Sequence, residues 1–447
     1  MSRYWYNLIS ISCLSARKRQ FQSENQSASG GSCCKKRQKA SPFVIVSPPV
    51  SDVMLPLAGI KVLDLSRILA GPWATQLLAD YGAEVIKIER PGNGDDTRSW
   101  GPPFAADGEA AYFHCANRNK RSVAIDIATP EGAELVRKLV AQCDVLVENF
   151  KVGGLKRYGL DYHSLSKQHP KLVYCSITGF GQTGPNADRP GYDYLIQAMA
   201  GLMSVTGQAD GEPGAEPMKV GVAVSDLFTG LYAANAIQAA LRRAEATGQG
   251  CHLDVALHDC QLSALANQAM NFLATETSPQ RMGNAHPSIV PYQVFDTADG
   301  HIVVAVGNDS QFVAFCNCIG RPDFAEIEGW KANKGRVADR SALIDSLSPA
   351  LKARTTEQWV SAFTTSGIPH SPIRSVGDAL TSNQTHARGL VLDHGDGLRT
   401  VNQPVPFPGQ PQSPPPSLGQ NTKAVLQDWL ELDGSDFDHL RQQGTIQ

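Results

Sequence analysis

One aspartate, Asp226, stands where a small-residue, β-capable run (Gly221 to Val224) meets a long helical pattern whose apolar positions are Leu227, Leu231, Ala234, Ile237 and Leu241. A carboxylate at the N-terminal edge of such a helix lies beside unpaired backbone N–H groups and the positive end of the helix dipole. Two readings follow: a reactive carboxylate held in place, or a plain N-cap in which Ser225 or Asp226 satisfies the first helical turn.

Other chemically loaded residues fall after strand-like segments. Arg90 follows Glu84-Val-Ile-Lys-Ile-Glu89, Asn117-Arg-Asn-Lys-Arg121 holds three cations in five residues, and Glu148-Asn-Phe-Lys151 is followed by Arg157. Open α/β sheets bind ligands at the carboxyl ends of their strands, and Arg and Lys there suit phosphate groups. Each cluster alone reads as a solvated basic loop; together they point to a long, polyphosphorylated ligand. His252-Leu-Asp254 and His258-Asp259 have metal-like spacing, yet nothing completes a coordination set, so core and cap roles are expected and no metal.

The elements that must position these residues are α/β. Ile60–Leu65 reads as a buried strand and Pro72–Tyr81 as a helix with Pro at its start and Gly82 past its end. Glu84–Glu89 completes a βαβ unit, hence a parallel sheet. The first turn, Arg67-Ile-Leu-Ala-Gly-Pro72, lacks Gly-x-Gly-x-x-Gly, so the Rossmann-like architecture comes without the dinucleotide fingerprint. Further strands are expected at Val123–Ile127, Val145–Asn149 and Leu172–Ser176, and helices at Pro130–Gln142, Tyr194–Val205, Leu227–Ala246 and Asp259–Leu273. Tyr292–Thr297 and His301–Val306 face each other across Ala298-Asp299-Gly300 as a hairpin, opening a smaller α+β domain. The expected organisation is a tail (1–53), a large domain (54–280), a small domain (281–390), and a Pro-rich return with a helix near Thr422–Leu432 (391–447).

With 447 residues, 42% of them hydrophobic, the chain can bury a sizeable core. Residues 1–53 carry eight Lys/Arg against two acids, which leaves the rest with 32 basic and 41 acidic residues, a balance that speaks against nucleic acid. No apolar run approaches the ~20 residues of a membrane helix. The tail reads either as a mitochondrial transit peptide or as an extension before a start at Met54, so the location is cytoplasmic or, if the tail is cleaved, the mitochondrial matrix. The body's cysteines read as reduced, mostly buried thiols.

Leu63–Pro72, Gly82–Pro91, Asn117–Ser122, Asp144–Phe150, Ser176–Gly181, Gly191-Tyr-Asp193, Gly221–Gly230 and Gly248-Gln-Gly250 together resemble the class III (CaiB/BaiF-type) CoA-transferases, over about residues 55–430. Trp100–Phe104 and Gly283–Gln293 resemble the branch that moves CoA from succinyl-CoA to dicarboxylates such as glutarate or hydroxymethylglutarate. The resemblance implies two chains interlocked as a homodimer, with CoA thioester as substrate and no tightly bound cofactor. It also implies Asp226 as the nucleophile, and Leu69, Ala70, Arg90, Ile125, Asp126, Ile127, Ala128, Asn149, Phe150, Lys151 and Arg157 along the CoA site. Asp193 matches a carboxylate position near the reacting centre, with Tyr192, His286 and Arg67 as substrate candidates. Arg67 reads equally as a strand-end salt-bridge partner. On that basis the helix start after Asp226 is expected to offer N–H groups that hold the carboxylate and stabilise oxyanions. The loop Gly207–Gly214 is expected to close over the intermediates. Two rivals share the fold: an α-methylacyl-CoA racemase, which carries Gly-His-Asp where this chain has Gly191-Tyr192-Asp193, and a non-catalytic CoA-binding protein.

Overall fold

The structure, a computed structural model, describes residues 54–447; the tail readings for residues 1–53 lie outside the described residues. Its centre is a sheet of six parallel strands in the order β3-β2-β1-β4-β5-β6: β1 Lys61–Asp64, β2 Glu84–Glu89, β3 Lys120–Ala124, β4 Val145–Glu148, β5 Val173–Thr178 and β6 Cys251–Ala256. This is the doubly wound order, whose direction reverses between β1 and β4 and opens a crevice there.

Alternation along the strands explains both layers. Val62, Val85, Val145, Val147, Val173 and Cys175 point to one face, where helices α1 (Ala70–Asp80) and α4 (Val224–Thr247) pack. Leu63, Ile86, Leu146 and Tyr174 point to the other, beneath α2 (Pro130–Val140) and a C-terminal helix, Thr422–Leu430. Strands buried on both faces read as continuous apolar runs, which made them legible. Between β5 and β6 the chain forms α3 (Asp193–Met199) before α4. Because α4 runs back to the start of β6, its N-terminus lies at the carboxyl edge of the sheet.

The α1–α4 contact is unusually close. Gly230, Ala233, Ala234 and Ile237 of α4 are buried against this core. A Cβ built on Gly230 would lie 2.8 Å from the Ala70 carbonyl oxygen and 3.0 Å from Trp73 Cδ1. Gly230 is one turn beyond Asp226, so this contact fixes the start of α4 against the turn that follows β1.

Residues 290–372 form the smaller α+β unit around a three-stranded antiparallel sheet that contains the expected hairpin, Tyr292–Asp296 with His301–Ala305, and a third strand, His370–Pro372. Helices such as Asp309–Cys318 and Arg340–Lys352 cover it, with Phe312, Leu343, Leu347 and Trp359 in its core. The Pro-rich return is pinned to the large sheet: Asn119 and Ser413 exchange hydrogen bonds, and Arg98 donates to the Pro416 carbonyl (3.1 Å). Among the described residues no helix is long and apolar enough to cross a membrane.

Three expected elements are corrected. The third strand is Lys120–Ala124, three residues earlier than Val123–Ile127, because Lys120 and Ser122 are buried polar residues whose partners lie inside the fold. The pattern Asp259–Leu273 is two helices, Leu257–Ala264 and Asn267–Thr275, broken at Ala266 (φ 45°, ψ −112°) with no Gly or Pro to announce it. Gly221–Ala223 forms no strand, and α4 already starts at Val224. Substituting Gly230→Val should lower stability by about 1–3 kcal/mol, since the added atoms meet backbone; an unchanged urea midpoint would show that α1 and α4 separate at no cost.

Candidate active site

The turn after β1 replaces the absent glycines with side-chain clamps. The Asp64 carboxylate accepts the Ser66 N–H (2.9 Å), the Thr75 hydroxyl (2.6 Å) and Lys120 Nζ (3.1 Å). Lys87 Nζ donates to the Ser66 carbonyl and to Asp95 Oδ2, each at 2.8 Å. Asn149 spans Arg67, accepting its N–H (2.9 Å) and donating to its carbonyl (2.7 Å). Asp95 accepts the Ile68 N–H (3.3 Å to each oxygen) and the Thr97 N–H and hydroxyl. Ile68 is thereby held at φ 73°, a conformation that costs a β-branched residue about 1–3 kcal/mol.

Burial alone would drive these charges neutral, and their pairing prevents it. Lys87 and Asp95 are both fully buried. Burial pushes Asp95 up, but Lys87 and the Thr97 hydrogen bonds outweigh it and bring it down to about 2. Burial likewise pushes Asp64 up, and Lys120 and Lys87 hold it below its usual value.

Sequence-expected ligand residues then divide by whether their charge is spent. Arg118 pairs with Asp80, Lys120 with Asp64, and Arg121 with Glu84 (2.6 Å), so the Asn117–Arg121 cluster is structural and not a phosphate loop. Arg67 pairs with Asp96 (3.1 Å), half exposed, which is the salt-bridge alternative. Arg90, Lys151 and Arg157 are exposed and have no ion-pair partner among the described residues. They follow β2 and β4 at the carboxyl edge. Leu69 and Ala70 open α1 on the same edge, both buried, and Phe150 lies 5.7 Å under the Arg67 guanidinium. Ile125–Ala128 follow β3: Ile125 is buried in a bridge with Ile446, Asp126 turns the chain by accepting the Ala128 N–H (3.0 Å), and Ile127 packs on the core beside them.

Asp226 is the third residue of α4 and half-buried. Its carboxylate has no hydrogen-bond or ion-pair partner among the described residues. Burial first, and the Asp193 carboxylate second, push it up to about 7. Neither Ser225 nor Asp226 caps the helix. Asp193, at the start of α3, caps it from outside by accepting the Ser225 N–H (2.8 Å) and the Asp226 N–H (3.3 Å). The expectation that this helix start serves oxyanions is therefore corrected: Asp193 takes the Ser225 and Asp226 N–H groups, and the next, that of Leu227, already bonds the Ala223 carbonyl (3.1 Å). Gln197 holds Asp193 (2.7 Å) and also accepts the Val220 N–H (2.9 Å), tying α3 to the segment that enters α4.

Sequence reasoning missed Tyr112. Burial, followed by Asp226, Cys115 and Asp193, pushes its hydroxyl up to about 12, which places it in the field of both carboxylates. Trp100 meets its ring edge-on with centroids 5.4 Å apart. No periodic pattern or charge marks Tyr112 in the sequence. Tyr192 precedes α3 and is 61% exposed. His286 sits in the loop before Tyr292, its Nδ1 accepting the Ser288 N–H (3.1 Å) and its ring 5.2 Å from the Tyr292 ring. The Gly207–Gly214 loop is tied down through an Asp210–Arg281 ion pair. The rejected metal residues have other partners: His252 bonds the Ser176 hydroxyl (2.8 Å) and stacks on Tyr162, and Asp254 accepts the Gln182 N–H (2.9 Å).

An aspartate whose folded-state value is raised binds its proton more tightly folded than unfolded. Stability is therefore lost as pH rises from the ordinary aspartate range through about 7, and the loss is complete above it. Asp226→Asn should stabilise the protein at pH 8, on the order of 1–3 kcal/mol, with the gain shrinking toward pH 4. A gain that does not vary with pH would contradict the charge argument.

Residues 57–422 match the family described as CoA-transferase family III. The chain is 50% identical over 383 residues to a succinate–glutarate CoA-transferase of Agrobacterium fabrum, covering 83% of this chain and 95% of that protein. It is 42% identical over 407 residues to the human succinyl-CoA:glutarate CoA-transferase, covering 89% and 92%. The crystal structure of a CaiB/BaiF family protein from Brucella suis superposes with a TM-score of 0.75 at 48% identity, over 84% of this chain and 99% of that one. The parallel sheet without dinucleotide glycines and the small antiparallel unit are the fold expected from the sequence, and the chain belongs to CoA-transferase family III.

Proposed function

We propose that this enzyme transfers CoA from succinyl-CoA to glutarate, with Asp226 as the covalent nucleophile. The observation that carries the reading is the carboxylate itself: half-buried, pushed up to about 7 and unquenched by any cation or donor among the described residues. Relatives at 42–50% identity that are named for succinate and glutarate support the choice of acids.

In the proposed sequence an Asp226 oxygen attacks the thioester carbonyl of succinyl-CoA, and the C–S bond breaks. This gives a succinyl–aspartyl anhydride and the CoA thiolate. The thiolate attacks the aspartyl carbonyl and expels succinate, leaving an aspartyl–CoA thioester. Glutarate attacks that thioester and frees the thiolate, which attacks the glutaryl carbonyl of the new anhydride. Glutaryl-CoA leaves and Asp226 is restored, with no net proton consumed. Two anhydrides and one thioester divide a hard exchange into easier steps. CoA enters and leaves as substrate, and no step calls on a resident cofactor.

The chain's own residues suit these steps. Arg90, Lys151 and Arg157 offer unspent charge for the phosphates of CoA. The clamped Ile68–Ala70 turn and Asn149 give the thioester arm a rigid floor at the β1/β4 crevice. Tyr112 lies in the field of Asp226 with the Trp100 ring edge-on to it, and aromatic surface there would help keep water from the anhydride. Asp193 raises the nucleophile's basicity through space while anchoring its helix.

We also propose a homodimer. Tyr194, Leu195 and Met199 of α3 and Phe228, Leu231 and Tyr232 of α4 are exposed on two helices that touch each other, and a cluster of large exposed apolar side chains of this kind suits a protein–protein contact. Size-exclusion chromatography with light scattering should give twice the chain mass, and a monomer at micromolar concentration would refute it.

Purified protein should exchange CoA between succinyl-CoA and glutarate, and Asp226→Ala should lower the rate at least 10³-fold. Because the carboxylate is the reacting form, kcat/KM should fall toward tenfold per pH unit below about 7. Full transfer by Asp226→Ala, or an acid limb near 4, would remove Asp226 from its role. A panel with hydroxymethylglutarate, malate, itaconate and oxalate tests the acceptor.

A further inference from the structure

The helix that carries Asp226 opens without a cap of its own, because Ala223 stands at the cap position and has no side-chain acceptor. Its support comes from neighbouring helices. Gln261, in the helix Leu257–Ala264, accepts the Ser225 hydroxyl (2.8 Å). Gln197 of α3 is fully buried and uses both ends of its amide. Its Nε2 donates to Asp193 Oδ2 (2.7 Å), and its Oε1 accepts the Val220 N–H (2.9 Å). The other oxygen of Asp193 takes the Ser225 and Asp226 N–H groups.

Packing alone does not call for an amide at position 197. Its neighbours on α3, Ile196 and Ala200, belong to the apolar core, and burying an amide there costs free energy that its hydrogen bonds must offset. What an apolar side chain cannot do is join Asp193 to Val220. That link needs a donor and an acceptor on adjacent atoms; a carboxylate would turn an acceptor toward Asp193, and a thioether offers no donor. With Oδ2 held by Gln197, Oδ1 stays on the start of α4 and the negative charge stays beside Asp226. The titratable groups around that charge are Asp193 itself, then Tyr112 and Cys115 at the short helix Ala111–His114. Helix α1 meets the first turns of α4 through Ala70 and Trp73, and Leu257–Ala264 meets them through Gln261 and Cys260; none of these contacts brings a cation.

We propose that Gln197 is a positioning residue of the transfer reaction: by joining Asp193 to Val220 it fixes the carboxylate that anchors the start of α4, and so sets how that negative charge stands to the nucleophile. It acts through Asp193 and not on the reacting atoms. The inference rests on Asp226 as the nucleophile.

The test is CoA transfer from succinyl-CoA to glutarate across pH by wild type, Gln197→Met, Asp193→Asn and the double variant, beside Asp226→Ala. Methionine matches glutamine in length and suits the core, but it forms neither hydrogen bond. Gln197→Met should lower kcat about tenfold, the size expected for one buried hydrogen bond to a charged group, with the KM for succinyl-CoA within about twofold of wild type. The acid limb of kcat/KM, near 7 in the wild type, should move about half a pH unit or more toward lower pH, because Asp193 without its donor turns away from the helix start and its charge bears less on Asp226. In the double variant the two losses should fall well short of multiplying, since both cut the same linkage. Should Gln197→Met fail to fold, Gln197→Asn, whose amide is one methylene too short to span both partners, is read in the same way. A glutamine that serves stability alone would lower the melting temperature, leave the acid limb in place and multiply with Asp193→Asn; that result, or a folded Gln197→Met with wild-type kcat and acid limb, overturns the proposal. Full activity in Asp226→Ala would instead remove the nucleophile reading beneath it.

Discussion

Two buried ion pairs, Lys87–Asp95 and Lys120–Asp64, fix the turn that follows β1 at the carboxyl edge of the sheet. Taking four charges out of water is expensive, and ion pairs of this kind do not exceed a hydrophobic replacement in stability. What they provide is direction. Lys87, Asp95, Asp64 and Asn149 hold Ser66, Arg67 and Ile68 group by group, and no apolar packing would fix each backbone N–H and carbonyl so specifically. The turn is thereby kept in a shape that Ile68 would not adopt unaided, and α1 begins where α4 can pack on it.

That frame accounts for the electrostatics of the edge. Cations near the sheet interior are neutralised by partners, whereas Arg90, Lys151, Lys156 and Arg157, which follow β2 and β4, are exposed and without an ion-pair partner among the described residues. The negative side is treated in the opposite way. Asp193 gives its charge to the start of α4, and Asp226 receives nothing, so repulsion and burial both raise its basicity. One carboxylate is spent on the helix start, and its neighbour is left without a partner among the described residues.

The sheet was legible because strands buried on two faces leave apolar runs, and α1 because Pro72 and Gly82 bracket it. The third strand was misplaced because Lys120 and Ser122 carry polar signals into the core, where Asp64 and Glu89 satisfy them. Asp226 stood out through its small-residue approach and the helix behind it, and family membership and transferase activity followed from motif order. Sequence could not separate Arg118 from Arg90, since spacing does not report which acid lies within reach. Nor could it show Tyr112, whose electrostatic surroundings include two carboxylates far away in the chain.

The Ser122 N–H is bonded by Asn421 and the Ala124 N–H by Thr422, partners 299 and 298 positions away, while Gly92 donates to Gln447 across 355. The outer strand of the sheet is therefore finished by the far end of the chain. During synthesis the first two hundred residues emerge with that strand's edge unpaired and its neighbouring helix not yet made. Unpaired strand edges invite association with other chains, and contacts of long sequence separation form slowly. For this enzyme the hazardous interval of folding spans nearly the whole of translation, and it is the first half of the chain that a chaperone would have to shield.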